Sequence, residues 1–184
     1  MNSFLTPDDI DEGIRSKVYT QDYSARTVID GVKVFPLKNM IGEDGDFLEL
    51  VRFGPNGTLE LVPDFTIAQV NHSTQFPGSI KAWHMHYKQN EIWFVPPATH
   101  FLVGLWDVRA SSPTKGATMR MAMGGGAAKL LYIPKGVAHG AVNLSPSPST
   151  IIYFVDQKFD LNDPDERRIP WDSQGADFWK AVRD

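Results

Sequence analysis

The sequence predicts an all-β fold, an antiparallel sandwich or barrel, and three observations carry that reading. Short apolar or alternating runs recur along the chain. Turn residues separate them at close intervals. The composition is rich in turn formers, with 13 prolines and 15 glycines. The 184 residues suffice for one domain with its own core, and 42% apolar with 22% charged residues is ordinary for a globular protein.

The elements follow in order. "TPDDIDEGIRSKV" offers a threonine N-cap, a proline at the first helical position and acids in the first turn, so a short helix is expected there. Strands are expected at "VKVFPL", "DFLELVRF", "FTIAQVNH", "SIKAWHMHY", "EIWFV", "HFLVGLWDV", "ATMRMAM", "KLLYIP", "GAVNL" and "TIIYFV". Between them lie "GEDGD", "GPNGT", "FPGS", "PPAT", "SSPTKG", "GGG", "PKG" and "SPSPS". "MGGGAAK" lacks the Lys-Ser/Thr and helix start of a phosphate loop and reads as a turn. "DPDERR" reads as a solvated loop, and "GADFWKAVRD" as a short closing helix. With no repeat and no linker, 1–184 is expected to be a single domain. It divides into an N-terminal extension over 1–30, a barrel over 31–160 and a C-terminal segment over 161–184.

Composition excludes several functions. A net charge of −4 predicts neither nucleic acid nor an anionic membrane as partner. The absence of cysteine removes disulfides, thiolate metal sites and a cysteine nucleophile. An acidic N-terminus without an apolar segment points to a cytoplasmic protein.

"KAWHMHYKQNE" carries the chemistry. On a strand, alternate residues share a face, so His84 and His86 point one way while Trp83, Met85 and Tyr87 point the other. Two imidazoles near a carboxylate suit a divalent transition ion. His84, His86 and Glu91, followed by Pro134, Gly136, His139 and Asn143 in "IPKGVAHGAVN", reproduce the two-part signature of the cupin superfamily, with Ala98 where a glycine is usual. That resemblance implies a cupin-like antiparallel β-barrel (a jelly roll) with short terminal helices. It also nominates His84, His86, Glu91 and His139 as a site for Fe, Mn, Ni or Zn.

A narrower resemblance rests on "AQVNHS", "IKAWH", "WDVRASSPTKG", "IPKGVAHG", "IIYF" and "RIPWD", which stand in the order found in dTDP-4-dehydrorhamnose 3,5-epimerases, over roughly residues 30 to 175. The resemblance implies a homodimer acting on a keto-sugar or sugar nucleotide without metal. It makes His84 the base, Asp172 the carboxylate that orients it and Tyr153 the opposing acid. Gln69, Asn71, Lys81 and His139 become substrate contacts. Three positions depart from the family: Lys81 replaces an arginine, Asp44 with Gly45 replaces Arg-Gly, and Glu91 stands where a lysine is usual. Lys81, Arg52 and Arg109 are the cations that could compensate for a diphosphate. The leading expectation is thus a sugar epimerase or isomerase. A metal-dependent cupin enzyme (isomerase or oxygenase) and a non-catalytic ligand-binding cupin are the alternatives. The first two compete for His84, which cannot offer one nitrogen both to a metal and to a substrate proton. Asp107 and Arg109 are read as fixing a turn.

Overall fold

A computed structural model describes residues 4–24 and 27–182. Fourteen strands follow in chain order: β1 (Lys33–Pro36), β2 (Asn39–Ile41), β3 (Asp46–Leu48), β4 (Thr58–Leu59), β5 (Val62–Thr66), β6 (Gln69–Gln75), β7 (Ile80–Met85), β8 (Glu91–Phe94), β9 (His100–Asp107), β10 (Thr118–Gly124), β11 (Lys129–Ile133), β12 (Val137–Asn143), β13 (Ser149–Val155) and β14 (Arg167–Arg168). They form two five-stranded sheets, β1-β11-β8-β13-β6 and β10-β9-β12-β7-β14, with two small hairpins, β2-β3 and β4-β5. Every pairing between these strands is antiparallel.

The two large sheets face each other. Their shared core takes Trp93, Leu131 and Ile151 from the first and Phe101, Val103, Leu105 and Ala141 from the second. Among the described residues no backbone ladder joins the two sheets, so the jelly roll is closed by side-chain packing. The outer face of the first sheet is covered by Leu59, Val62 and Phe65 of the small hairpin, packed on Ile92, Phe94, Leu130 and Phe154. The outer face of the second is covered by the C-terminal segment, which lays Phe178 and Trp179 on Trp83 at ring separations of 5.1 and 4.6 Å. Gly104 of β9 leaves the room for them, because a Cβ there would lie 2.5 Å from the Phe178 ring.

Helix is scarcer than the sequence predicts. The N-terminal segment makes a 3₁₀ turn at Pro7–Asp9 and one α turn at Glu12–Arg15. Its start is as read: the Asp9 carboxylate accepts from the Thr6 N–H and the Thr6 hydroxyl. The closing helix reduces to a 3₁₀ turn at Ala176–Trp179, and the end of the expected span, residues 183 and 184, lies outside the described residues. "FTIAQVNH" splits into β5 and β6, since one half pairs in the hairpin and the other joins β13. "GGG" is a turn between β10 and β11 with all three glycines at positive φ. A Cβ on Gly124 would lie 2.0 Å from the Thr99 carbonyl oxygen. Among the described residues no helix is long and apolar enough to cross a membrane.

Candidate active site

Strand alternation sets the site. Trp83 and Met85 face the aromatic cluster behind β7, and His84 and His86 face inward. Strand β12 lies beside β7 and places His139 opposite His84, just before a shift in register. Gly140 permits this approach, because a Cβ there would be 2.3 Å from the Ala82 Cβ and 2.7 Å from the Lys81 carbonyl oxygen. Glu91 opens β8 on the facing sheet, and Tyr153 sits in β13, in register with Trp93 on one side and Asn71 on the other.

Two cavities adjoin here and share Glu91, Tyr153 and Glu166 in their walls. The smaller, about 70 Å³, is lined by His84, Lys81 and His139 from one sheet and by Tyr153, Trp93 and Glu91 from the other. The larger, about 420 Å³, takes in Gln69, Asn71 and His86. The Gln69 amide donates to Asn71 Oδ1 at 2.7 Å, while its oxygen accepts from the Phe159 N–H. Lys81 donates to Ser73 Oγ at 3.0 Å and to the Thr74 carbonyl at 2.9 Å.

His84 has a carboxylate partner, and it is Glu166. Nδ1 lies 2.9 Å from Glu166 Oε1. The expected partner, Asp172, is exposed on the turn after β14, where its carbonyl accepts from Gly175 N–H. The cause lies in the segment read as a solvated loop. Asp165 accepts the backbone N–H groups of Tyr87, Lys88 and Gln89 at 2.7 to 3.0 Å, which pins this stretch to the end of β7. Two residues of β14 then pair with β7, with Arg168 opposite His84. Glu166 arrives at the imidazole as a result, and Arg168 closes a triangle. Its guanidinium donates to His84 Nε2 at 2.7 Å and contacts Glu166 Oε1 at 2.8 Å. The hydrogen bond from His84 holds the Glu166 carboxyl below the usual range against the opposing effect of burial, and Arg168 adds to it.

His86, Glu91 and His139 form a second, buried group whose ligand atoms lie within 4.8 Å of one another. Of the four residues expected to hold a metal, His84 stands outside this group, with both ring nitrogens engaged by Glu166 and Arg168. His86 Nε2 is 3.1 Å from Glu91 Oε1, and His139 Nε2 is 3.4 Å from Oε2. Each imidazole turns Nδ1 to a backbone carbonyl, of Asp165 and Val137 respectively. Gln89 and Trp93 also donate to the Glu91 carboxylate. Burial alone would push Glu91 up. The imidazoles and the Trp93 N–H outweigh it and bring the carboxyl to about 2. Burial pushes His139 down to about 4, against the attraction of Glu91. Burial also opposes protonation of His86, but Glu91 and the Asp165 carbonyl hold that ring above its ordinary value. At neutral pH Glu91 is therefore ionised and His139 is neutral. Burial, with Glu91 and Glu166 nearby, raises the Tyr153 phenol and keeps it protonated.

Sequence reasoning missed Asp165, Glu166, Arg168 and Gln89. The available signals were the alternation of Glu166 with Arg168 just before "IPWD" and of Gln89 with Glu91. Of the cations thought able to compensate for a diphosphate, Arg52 pairs with Glu49 and Glu60, and Arg109 pairs with Asp107.

A family model described as dTDP-4-dehydrorhamnose 3,5-epimerase matches residues 26–180. The spore coat polysaccharide biosynthesis protein SpsL of Bacillus subtilis is 45% identical over 151 residues, which are 82% of this chain and 95% of that protein. A probable low-salt glycan biosynthesis epimerase of Haloferax volcanii is 35% identical over 101 residues, 55% of this chain and 65% of that protein. Among solved structures, a dTDP-6-deoxy-D-glucose-3,5-epimerase from Legionella pneumophila, in complex with dTDP-4-keto-L-rhamnose, superposes with a TM-score of 0.70 at 27% identity. The match covers 83% of this chain and 80% of that one.

Proposed function

Since the chain belongs to the dTDP-4-dehydrorhamnose 3,5-epimerase family, we propose that it inverts a carbon beside the carbonyl of a nucleotide-linked keto-sugar, with His84 as base, Glu166 as its orienting carboxylate and Tyr153 as the opposing acid. One observation carries this reading: His84 and Tyr153 line one small chamber from facing sheets. Inversion needs a base on one ring face and a proton donor on the other. A C–H beside a ketone is acidic because the resulting enolate is delocalised, and imidazole, with an ordinary pKa near ~6.5, suits its removal. Glu166 fixes Nδ1 as the protonated nitrogen, which leaves the Nε2 lone pair to accept the proton and stabilises the imidazolium that forms. The Tyr153 phenol then returns a proton from the other side. Gln69, Asn71, Lys81 and His139 are placed to contact the sugar or its nucleotide. Such a transfer consumes no cofactor.

The test is turnover of a dTDP-linked 4-keto-6-deoxyhexose in D₂O. The wild type is expected to place deuterium on the inverted carbon. Tyr153→Phe is expected to keep the exchange while forming inverted product about 10²-fold more slowly. Binding of the nucleotide sugar with no exchange by the wild type would overturn this reading in favour of a ligand-binding role.

The buried trio favours a second reading. With both Nδ1 atoms turned to carbonyls, both Nε2 atoms converge on one carboxylate, an arrangement a cation satisfies well. A divalent Fe, Mn, Ni or Zn ion would be held by His86, His139 and Glu91, and when bound it would polarise a carbonyl as a Lewis acid. His84 is outside that set, so this reading no longer competes with the first. Protein prepared without chelator is then expected to carry stoichiometric metal that Glu91→Gln loses. Metal-free protein fully active in EDTA removes the metal.

We place the enzyme in the cytoplasm as a homodimer joined through its N-terminal strand. In support, β1 is an edge strand, and Ile41 and Phe47 of the neighbouring hairpin leave apolar surface exposed.

A further inference from the structure

The base has a cap. A guanidinium carries only donors, so the 2.7 Å contact from Arg168 makes His84 Nε2 the acceptor, and the lone pair that must take the substrate proton is already engaged. Resting on the epimerase reading, we propose that Arg168 is a positioning and specificity residue that covers His84 Nε2 until the diphosphate of a nucleotide-linked sugar draws its guanidinium away.

Three features support a movable cap. Arg168 lies on a two-residue edge strand, and its side chain is 59% exposed. Its hold is local, one contact to His84 and one to Glu166. A diphosphate offers paired anionic oxygens that match the planar fork of arginine better than one imidazole nitrogen does. Of the other cations, Lys158 lines the larger cavity, and four have partners of their own. Arg52 and Arg109 are in ion pairs, Lys81 is bonded to Ser73 and Thr74, and Lys88 is paired with Asp163. When Arg168 swings to an anion, Glu166 keeps Nδ1 in place and Nε2 turns free toward the chamber. A free keto-sugar lacks the charge that lifts the cap. Discrimination for the nucleotide-linked substrate therefore falls on the chemical step as well as on binding.

The test is ethoxycarbonylation of His84 by diethyl pyrocarbonate, located by fragment mass spectrometry of the peptide and followed with no sugar present. Labelling of the wild type should be slow. It should accelerate about tenfold or more in Arg168→Gln, as expected for losing a charge-assisted hydrogen bond. Inorganic pyrophosphate should accelerate labelling of the wild type and have no effect on Arg168→Gln. Arg168→Lys, which keeps the charge but not the fork, should fall between. Equal labelling of Arg168→Gln and wild type overturns the proposal. So does pyrophosphate that leaves the wild-type rate unchanged or slows it. Labelling does not depend on turnover. Failure of the epimerase reading appears separately, as absent deuterium exchange.

Discussion

Replacing His84 with asparagine will lower kcat by about 10²- to 10⁴-fold and abolish deuterium exchange into the keto-sugar, with little change in Tm. Asparagine can still offer an N–H to Glu166, so the contact that fixes the imidazole is partly preserved. It has no lone pair basic enough to take a carbon-bound proton. The side chain lines a cavity and is 22% exposed, so its loss leaves no void in packed core. Steady-state kinetics, mass spectrometry of the product and a thermal scan check the three parts. Exchange that persists at the wild-type rate would assign the base to another residue.

Asp107→Ala will cost stability instead, about 3–5 kcal/mol, read as a fall in the urea midpoint at neutral pH. The Asp107 side chain is fully buried. It accepts from the Arg109 side chain at 2.9 Å, from Thr114 Oγ1 at 2.7 Å and from Ser112 Oγ. Arg109 in turn donates to the Asp30 carbonyl and packs where a Cβ on Gly136 would stand, 2.6 Å from its Cγ. One carboxylate thus ties the 107–116 loop to the entry into β12, the strand that carries His139. Removing it leaves a guanidinium and two hydroxyls without their acceptor. Burial raises this carboxyl, but Arg109, Ser112 and Thr114 outweigh it and hold it well below the usual carboxylate range. A depressed carboxyl contributes stability above its unfolded pKa, near ~3.9, and loses it as pH falls toward the folded value. The gap between variant and wild type should therefore be full at pH 7 and narrow in acid. A gap that widens on acidification would contradict this.

Much of the fold was legible because strand alternation and turn residues act locally. "SIKAWHMHY" alone separates the aromatic face of β7 from its histidine face, and "DVRASSPTKG" holds a self-contained turn. The terminal helices fell short for a tertiary reason. At the C-terminal end Trp179 is held against Trp83 at an interplanar tilt of 49°, and a 3₁₀ turn suffices to seat it. The partner of His84 was not legible in the same way. Asp163, Asp165, Glu166 and Asp172 all lie within ten residues of one another. The choice among them is made by three backbone N–H groups at Tyr87–Gln89 and by the register of β14, contacts more than seventy residues away in sequence. The buried trio was legible by spacing, apart from His84. Membership there depends on which way each ring nitrogen turns.

Because Glu166 and Arg168 arrive with the same strap whose Phe178 and Trp179 cover the back of β7, His84 gains both of its partners only when that strap has docked. The approach to that strap carries Phe159 and Leu161 largely exposed. A backbone cut there would loosen the tether of both His84 partners and of the aromatic cover over Trp83 at once.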